Sequence, residues 1–399
     1  MADLQEAAGV DVGRIGVYLP GWTDKRGRRL AGPDEDVTTM AVSAGALVLD
    51  GRPDDVSSVT LVVREPDQLL GNTVETVLAG LGLPLSLPFG TRLGGAPEAL
   101  DAVLQAPAGG LVVAVDPQAP SAAGAVLVRG PGAGVSDAGA ARTSVPVRVL
   151  DGHGDETMYE DQRLLRDVAW AAGFRLVEGV DEPILAGVPI ALATKVRRGA
   201  LGVEPTGPAG AVVALATAVD SGQSRTIVGV ENGTARAVRE DPGAITVIRS
   251  AREPRQAPSS WAPGAAADLT LALPAYNRAF DAKIGFLASQ DPDGTLRHPP
   301  RGWVAGSLDE RPTLVALPRT ARVYSQTTIH APVPGKRTPY TIAVVSVDDS
   351  PVRVLAHVTD TDPGSTAIGD QGALVLRRIA IRQGVSDYGY AFQPKENLQ

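Results

Sequence analysis

Few side chains in this sequence are equipped for chemistry, and one reactive type is absent altogether. Among its 399 residues there are four histidines, His153, His298, His330 and His357, and no cysteine. Without thiols the chain forms no disulfide, supplies no thiolate to zinc or an iron–sulfur cluster, and offers no cysteine nucleophile. His153 is the most suggestive of the four, because Asp151, Asp155 and Glu156 flank it and could orient the ring or raise its pKa. The same run, Asp151-Gly-His-Gly-Asp-Glu156, also has the composition of a polar turn. No Gly-x-Ser-x-Gly elbow is present to pair with a histidine.

Other constellations are equally spare. The glycines of Gly130-Pro-Gly-Ala-Gly134 fit neither a dinucleotide fingerprint nor a Walker A loop, since no Lys-Ser/Thr closes them. Asp360, Asp362 and Gly364 read as turn residues, because no glutamate closes the spacing of a calcium loop. Asn232-Gly-Thr234 matches a glycosylation acceptor but follows a strand-like run as its turn.

The elements that must position these residues alternate. Strand-like runs at Ile15–Leu19, Val59–Val63 and Leu111–Val115 are interleaved with helical patterns at Thr38–Leu49, Thr73–Leu81 and Glu98–Leu104, which predicts a layered α/β arrangement. After a Gly/Ala-rich stretch, 119–141, helices over 161–172 and 209–219 and a strand over 225–230 repeat the order, so an internal duplication is expected. Residues 250–285 begin with a Pro-, Ala- and Ser-rich linker. Beyond it, short strands at 313–317, 322–330, 340–347, 352–358 and 372–379, with no long helix between them, predict a small barrel of the OB type.

Two stretches carry a family resemblance. Gly13-Arg-Ile-Gly-Val-Tyr-Leu-Pro20 followed by Asp34-Glu-Asp-Val-Thr-Thr-Met-Ala41 resembles the opening of the HMG-CoA synthase and ketoacyl-ACP synthase III branch of the thiolase superfamily. In that branch a helix N-terminus presents a catalytic cysteine, favoured as thiolate by the helix dipole. The resemblance places Leu93, in Thr91-Arg-Leu-Gly-Gly-Ala-Pro-Glu98, at the cysteine and Pro205 at the catalytic asparagine, and no histidine falls where the family has one. Glu65, in Val62-Val63-Arg-Glu65, resembles the synthase's acid/base glutamate, although a carboxylate after a strand is commonly plain surface.

The C-terminal part is similar to the acyl-CoA-associated OB-fold family, domain of unknown function 35, through Tyr324-Ser-Gln-Thr-Thr-Ile-His330, Thr338-Pro-Tyr340 and Val354-Leu-Ala-His357. Members usually carry a zinc ribbon before the barrel. Here Pro299-Pro-Arg301 persists, but the four knuckle positions align with Gln290, Asp293, Val304 and Ser307. Tetrahedral zinc needs four nitrogen, sulfur or carboxylate ligands, so a ribbon without zinc is expected; nearby His298 does not complete a set.

The expected organisation is a duplicated αβαβα thiolase-like domain over 13–249, in halves of about 13–125 and 140–249. A linker over 250–285, a degenerate ribbon over 286–310 and an OB-fold over 311–395 follow. The formal net charge of −8 argues against a nucleic-acid partner, and the barrel's few aromatics, Tyr324 and Tyr340 with Tyr388 and Phe392, argue against stacking on single strands. No basic leader or membrane-length apolar run is seen, so a cytoplasmic protein is expected. The resemblances imply an accessory scaffold subunit whose cysteine is supplied by a partner thiolase. They also imply a homodimer, a possible acyl-CoA ligand and no covalently bound cofactor. The alternative is a stand-alone acyl-CoA or acyl-carrier enzyme using Glu65 or His153 without a covalent intermediate.

Overall fold

The computed structural model describes residues 9–51, 55–67, 73–143, 148–150, 152–153, 155–158, 163, 167, 170–250, 252–257, 272–304, 307, 309–331 and 338–395. Most of the helix expected over 161–172, the heart of the linker at 258–271, and Asp151 beside His153 lie outside these residues. The chain forms two compact units. The first comprises Met1–Ala31, Met40–Val74 and Leu83–Pro254, and the second Gly32–Thr39, Glu75–Gly82 and Arg255–Gln399. Two short pieces of the N-terminal half of the sequence therefore cluster with the C-terminal unit.

In the N-terminal sequence the elements run β1 (Gly9–Tyr18), α1 (Val37–Leu49), β2 (Ser58–Val63), α2 (Thr73–Leu81), β3 (Phe89–Leu93), α3 (Ala96–Gln105), β4 (Gly110–Asp116) and β5 (Ala122–Pro131). The same order then repeats: β6 (Val135–Arg142), α4 (Ala171–Leu176), β7 (Ile184–Ala186), α5 (Ile190–Val196), β8 (Leu201–Gly202), α6 (Pro208–Ser221), β9 (Arg225–Glu231) and β10 (Thr234–Glu240). Spatially the strands lie β3-β2-β4-β5-β1 in one half and β8-β7-β9-β10-β6 in the other. In each half the fifth strand alone is antiparallel to its neighbours. The two halves thus share one topology, and the expected duplicated thiolase-like α/β fold is present. Their sheets meet where Gly9 and Val10 pair antiparallel with Ser136 and Val135.

Helices α3 and α6 pack on each other and on strands of both halves, forming the middle layer. Sequence explains that place. Helix α6, Pro-Ala-Gly-Ala-Val-Val-Ala-Leu-Ala-Thr-Ala-Val-Asp-Ser, is small and apolar almost all round, as a helix covered on every side must be. It stops at Gly222, whose φ of 64° is the left-handed conformation a helix C-cap favours. One buried core cluster is fed by both halves, including Ile15, Val62, Leu100, Val112, Val126, Leu215 and Ile227, and a second gathers Leu185, Val188, Val228 and Val230 of the second half.

The Gly/Ala-rich stretch 119–141 forms most of strands β5 and β6. Its small residues reflect close packing rather than a loop: a Cβ on Gly124 would lie 2.4 Å from Cβ of Val212 on α6.

Two sheets are built from described residues of the second unit. Strands β11 (Leu287–Gln290), β12 (Leu296–Arg297) and β13 (Thr313–Ala316) form a three-stranded ribbon. Strands β14 (Thr320–Ile329), β15 (Tyr340–Val347), β16 (Arg353–His357), β17 (Gln371–Arg382) and β18 (Val385–Pro394) form the OB barrel in the order β16-β15-β14-β17-β18. A bridge between Val358 and Phe392 joins the outer strands. Strand β15 alternates intermediate and buried residues along its whole length, the signature of one face on a core.

Two expectations need correction here. The run 313–317, expected in the barrel, pairs with β11. The fifth barrel strand is instead β18, whose six consecutive buried residues, Asp387–Phe392, hide the period of two. It is reached through Gln383 and Gly384, both at positive φ as a tight hairpin requires. Among the described residues no helix is long and apolar enough to cross a membrane.

Candidate functional site

A helix leaves its first N–H groups without intrahelical acceptors, and Ser, Thr, Asp or Asn usually caps them. Neither central helix follows that rule. Helix α3 begins after Gly95 and α6 after Gly207, each followed at once by proline-containing first turns and neither with a side-chain cap of its own. The acceptors come from elsewhere. Glu231 Oε2 accepts the N–H of Gly95, and Asp116 Oδ2 accepts the N–H of Ala209 at 2.9 Å.

The arrangement is reciprocal. Asp116 is the last residue of β4 and Glu231 the last of β9, the fourth strand of each half. Each carboxylate crosses to cap the central helix of the other half. Glycine is what admits them. A Cβ on Gly95 would lie 2.4 Å from Glu231 Oε1, and one on Gly207 would lie 1.7 Å from Asp116 Oδ1.

Arg64, just beyond β2, ties the two caps together. Its Nε lies 2.5 Å from Glu231 Oε1 and its NH2 donates to the Thr206 carbonyl at 2.9 Å. Burial pushes the Asp116 carboxyl up to about 7; Arg64 and the N–H groups of Ala209 and Gly210 pull the other way, and Glu231 adds to the rise. The cluster therefore contains a fixed cation, an anion on one helix N-terminus, and a carboxyl poised between its two protonation states.

Of the residues singled out in the sequence, Leu93 ends β3 with its side chain exposed, two residues before the capped Gly95. Pro205 follows a cis peptide bond next to Thr206. The segments carrying Leu93 and Pro205 are thus brought together, through Glu231 and Arg64. Glu65 is exposed on the bend after Arg64, and His153 is exposed in a turn between the short strands Arg148–Leu150 and Glu156–Met158. Asp116, Glu231 and Arg64 were not singled out from sequence. Their signal was present as two glycine-started helices lacking a cap, and two carboxylates each terminating an apolar run.

In the second unit the ribbon keeps its turns but not a ligand set. Gly294 N–H bonds the Asp291 carbonyl at 2.8 Å, and Ser307 N–H bonds the Val304 carbonyl at 3.2 Å. Of the four knuckle positions, Asp293 accepts the N–H of Thr295 at 2.9 Å, a bond that holds its pKa below the usual carboxylate range. Val304 is a buried hydrocarbon, Ser307 accepts the Glu310 N–H, and Gln290 lies in β11. One carboxylate, a hydroxyl, an amide and a hydrocarbon do not fit zinc. No group of three His, Cys, Asp or Glu suited to a metal occurs among the described residues. The hairpin is fastened instead by Arg297 Nε on Asp291 Oδ2 at 3.0 Å.

The same unit encloses a buried charge cluster. The Arg377 guanidinium, 1% exposed, lies 2.8 Å from Asp360 Oδ2, 3.4 Å from Glu35 Oε1 and 3.9 Å from Asp34 Oδ2. Glu35 also accepts the Gly32 N–H at 2.7 Å, and Tyr388 donates to Asp36 at 3.0 Å. Asp34 and Glu35 of the acidic run first noted as part of a family resemblance thus flank the barrel arginine Arg377, and Asp36 lies 3.4 Å from Arg378.

Residues 314–377 match the family described as the ChsH2 C-terminal OB-fold domain. A DUF35 domain-containing scaffold protein of Methanothermobacter thermautotrophicus is 33% identical over 78 residues, 18% of this chain; the chain spans 58% of that relative's length. Among solved structures, the tetronic acid condensing enzyme AbyA1 is 19% identical over 58% of this chain and 100% of its own, with a TM-score of 0.47. The Ltp2-ChsH2(DUF35) aldolase is 21% identical over 30% of this chain and 90% of its own, with a TM-score of 0.25. The strand order in each half, rather than these superpositions, identifies the N-terminal fold.

Proposed function

We propose that this chain is an accessory scaffold subunit of an acyl-CoA-dependent acyltransferase or thiolase complex, inactive alone, whose nucleophilic cysteine belongs to a partner thiolase. The observation that carries the reading is the Glu231 carboxylate on the Gly95 N–H. The helix N-terminus where a thiolate would be generated is already filled by an anion of the chain's own. A fixed negative charge there repels a second one, and no cysteine exists to supply it. The scaffold described for the Methanothermobacter relative, which shares the OB-fold segment, supports the non-catalytic role. In this reading the chain self-associates through its thiolase-like region as a homodimer in the cytoplasm. Acyl-CoA is the substrate of the complex.

Affinity purification from the source cells, followed by native mass analysis, tests it. A stoichiometric assembly with a thiolase that carries a cysteine nucleophile is expected, with C–C bond-forming acyl transfer lost when that cysteine is replaced. Acyl transfer by the purified chain alone, abolished by Glu65→Ala or His153→Ala, overturns it in favour of a stand-alone enzyme.

A further inference from the structure

Barrel strands β14, β15 and β16 turn alternate residues outward, and the outward set includes large apolar side chains. Tyr324, Leu355 and Ile368 are 52%, 69% and 71% exposed. They are not scattered. Ser325, next to Tyr324 at a bulge, pairs with Val344, and Val344 pairs with Leu355. Val323 accepts the N–H of Gly369 at 2.8 Å and donates to the Asp370 carbonyl at 2.9 Å, which brings Ile368 to the Tyr324 end of the face. Single exposed apolar residues need no explanation, whereas a contiguous row across three strands marks an interaction surface.

A row of charge lies beside the apolar one. Arg322 pairs with Ser346, and Ser346 with Arg353. Both arginines are exposed, and among the described residues no carboxylate forms an ion pair with either. They are nevertheless held. Arg322 Nη1 donates to the Gly369 carbonyl at 3.2 Å. The Arg353 guanidinium lies 3.7 Å from the ring centroid of Tyr324, a cation–π contact made across the intervening β15. Asp370, at the Ile368 end, turns its carboxylate to the Ala367 N–H at 2.8 Å. In a chain of net charge −8, an apolar row edged by two fixed cations is complementary to an apolar stripe edged by carboxylates.

We propose that this outward face docks an acidic amphipathic helix of a partner protein. The spacing supports a helix. Neighbouring strands lie about 4.8 Å apart, so Arg322 and Arg353, two strands apart, are separated by about 10 Å at the backbone. Seven residues of a helix, two turns, rise about 10.5 Å. A helix laid along the row therefore sets apolar side chains at every turn on Ile368, Tyr324 and Leu355, and carboxylates two turns apart beside the arginines. A second copy of this face fits less well, because two-fold pairing brings arginines together without counter-charge. Single-stranded nucleic acid also fits less well, since Val344, Leu355 and Ile368 offer no ring for a base to stack on. The inference deepens the scaffold reading by naming the face through which the chain meets a partner and the chemistry of that contact.

Site-specific cross-linking of the full-length chain in its source cells, with a photoreactive amino acid in place of Leu355, tests the proposal. Mass analysis of the cross-linked peptide is expected to identify a partner helix with carboxylates beside an apolar stripe. Arg322→Glu with Arg353→Glu should lower the cross-linked fraction about tenfold or more, and replacing two of the partner's carboxylates by arginine should restore it. Both sites are exposed, so the barrel tolerates the change; Arg26→Glu, on an exposed turn of the first unit, leaves cross-linking unchanged. No protein adduct, an adduct with nucleic acid or with a second copy of this chain, or a cross-link indifferent to the two glutamates overturns the face. The two readings fail separately. A thiolase that co-purifies while Leu355 cross-links to nothing overturns the face alone, and an acidic helix cross-linked in cells whose assembly holds no thiolase overturns the scaffold reading alone.

Discussion

Glu231 accepts the backbone N–H of Gly95, 136 residues away in sequence, and so caps a helix that belongs to the other half of the duplicated domain. The contact couples a side chain to the absence of another. Gly95→Ala inserts a Cβ within 2.4 Å of a carboxylate oxygen, so the cap must withdraw. Loss of a cap costs about 1 kcal/mol, and Gly95→Ala and Glu231→Ala are each expected to destabilise by about 1–2 kcal/mol. Since both remove one interaction, the double variant loses less than the sum. Urea denaturation of the four proteins gives the coupling, and strict additivity would count against the cap.

Asp116 gives its counterpart a pH dependence. Burial raises this carboxyl to about 7, whereas an unfolded Asp titrates near its ordinary 3.8. Between those values the folded chain binds the extra proton, so the contribution is fully present below the unfolded pKa and is lost as pH rises through the folded one. One proton corresponds to a slope of about 1.4 kcal/mol per pH unit. Asp116→Asn keeps an oxygen for the Ala209 N–H and removes the titration. Stability measured from pH 4 to pH 8 should fall less steeply in the variant than in wild type. Parallel profiles would exclude Asp116 as the titrating group.

How much of this could be read from sequence differs between fold and site. The α/β alternation was legible because β2 and β4 are continuous apolar runs, and α1 and α3 carry helical spacing. The duplication was legible only as an echo, since β5 and β6 are written in Gly and Ala. Their identity as strands depends on the close approach of α6 at Gly124. Strand β18 was missed because burial on both sides erases alternation. The reciprocal caps were illegible for a different reason. Asp116 and Glu231 each end an apolar run, where a polar residue is ordinary, and their partners lie 93 and 136 residues distant. No local pattern reports such a pairing.

The ribbon predicts its own insensitivity to metal removal. Gly294 and Ser307 close the knuckle turns with backbone bonds, and the Asp291–Arg297 pair fastens the hairpin. Nothing in that set depends on a cation, whereas a structural zinc would contribute folding free energy directly. The thermal midpoint of the purified chain should be unchanged by a strong chelator, and elemental analysis should find only substoichiometric zinc. A fall in midpoint on chelation, reversed by adding zinc, would refute this.

Arg377 is the residue whose loss should hurt the second unit most. Its guanidinium is buried with Asp34, Glu35 and Asp360, three carboxylates to one cation. Burial already raises the Asp34 carboxyl, and Asp360 adds to that rise while Arg377 opposes it. Removing the cation from such a pair leaves buried acids uncompensated, a loss of about 3–5 kcal/mol. Arg377→Met fills comparable space without charge and isolates that electrostatic loss. Asp34 in the variant can recover by taking up a proton, so its folded pKa rises further above the unfolded one. A raised carboxyl contributes stability at low pH that disappears as pH increases. The penalty of Arg377→Met should therefore be large at pH 8 and smaller at pH 5, and adding Asp34→Asn should restore part of it at pH 8. Urea denaturation of the three proteins at both pH values measures these differences. An equal penalty at pH 5 and pH 8 would assign the loss to packing of the arginine stem rather than to its charge.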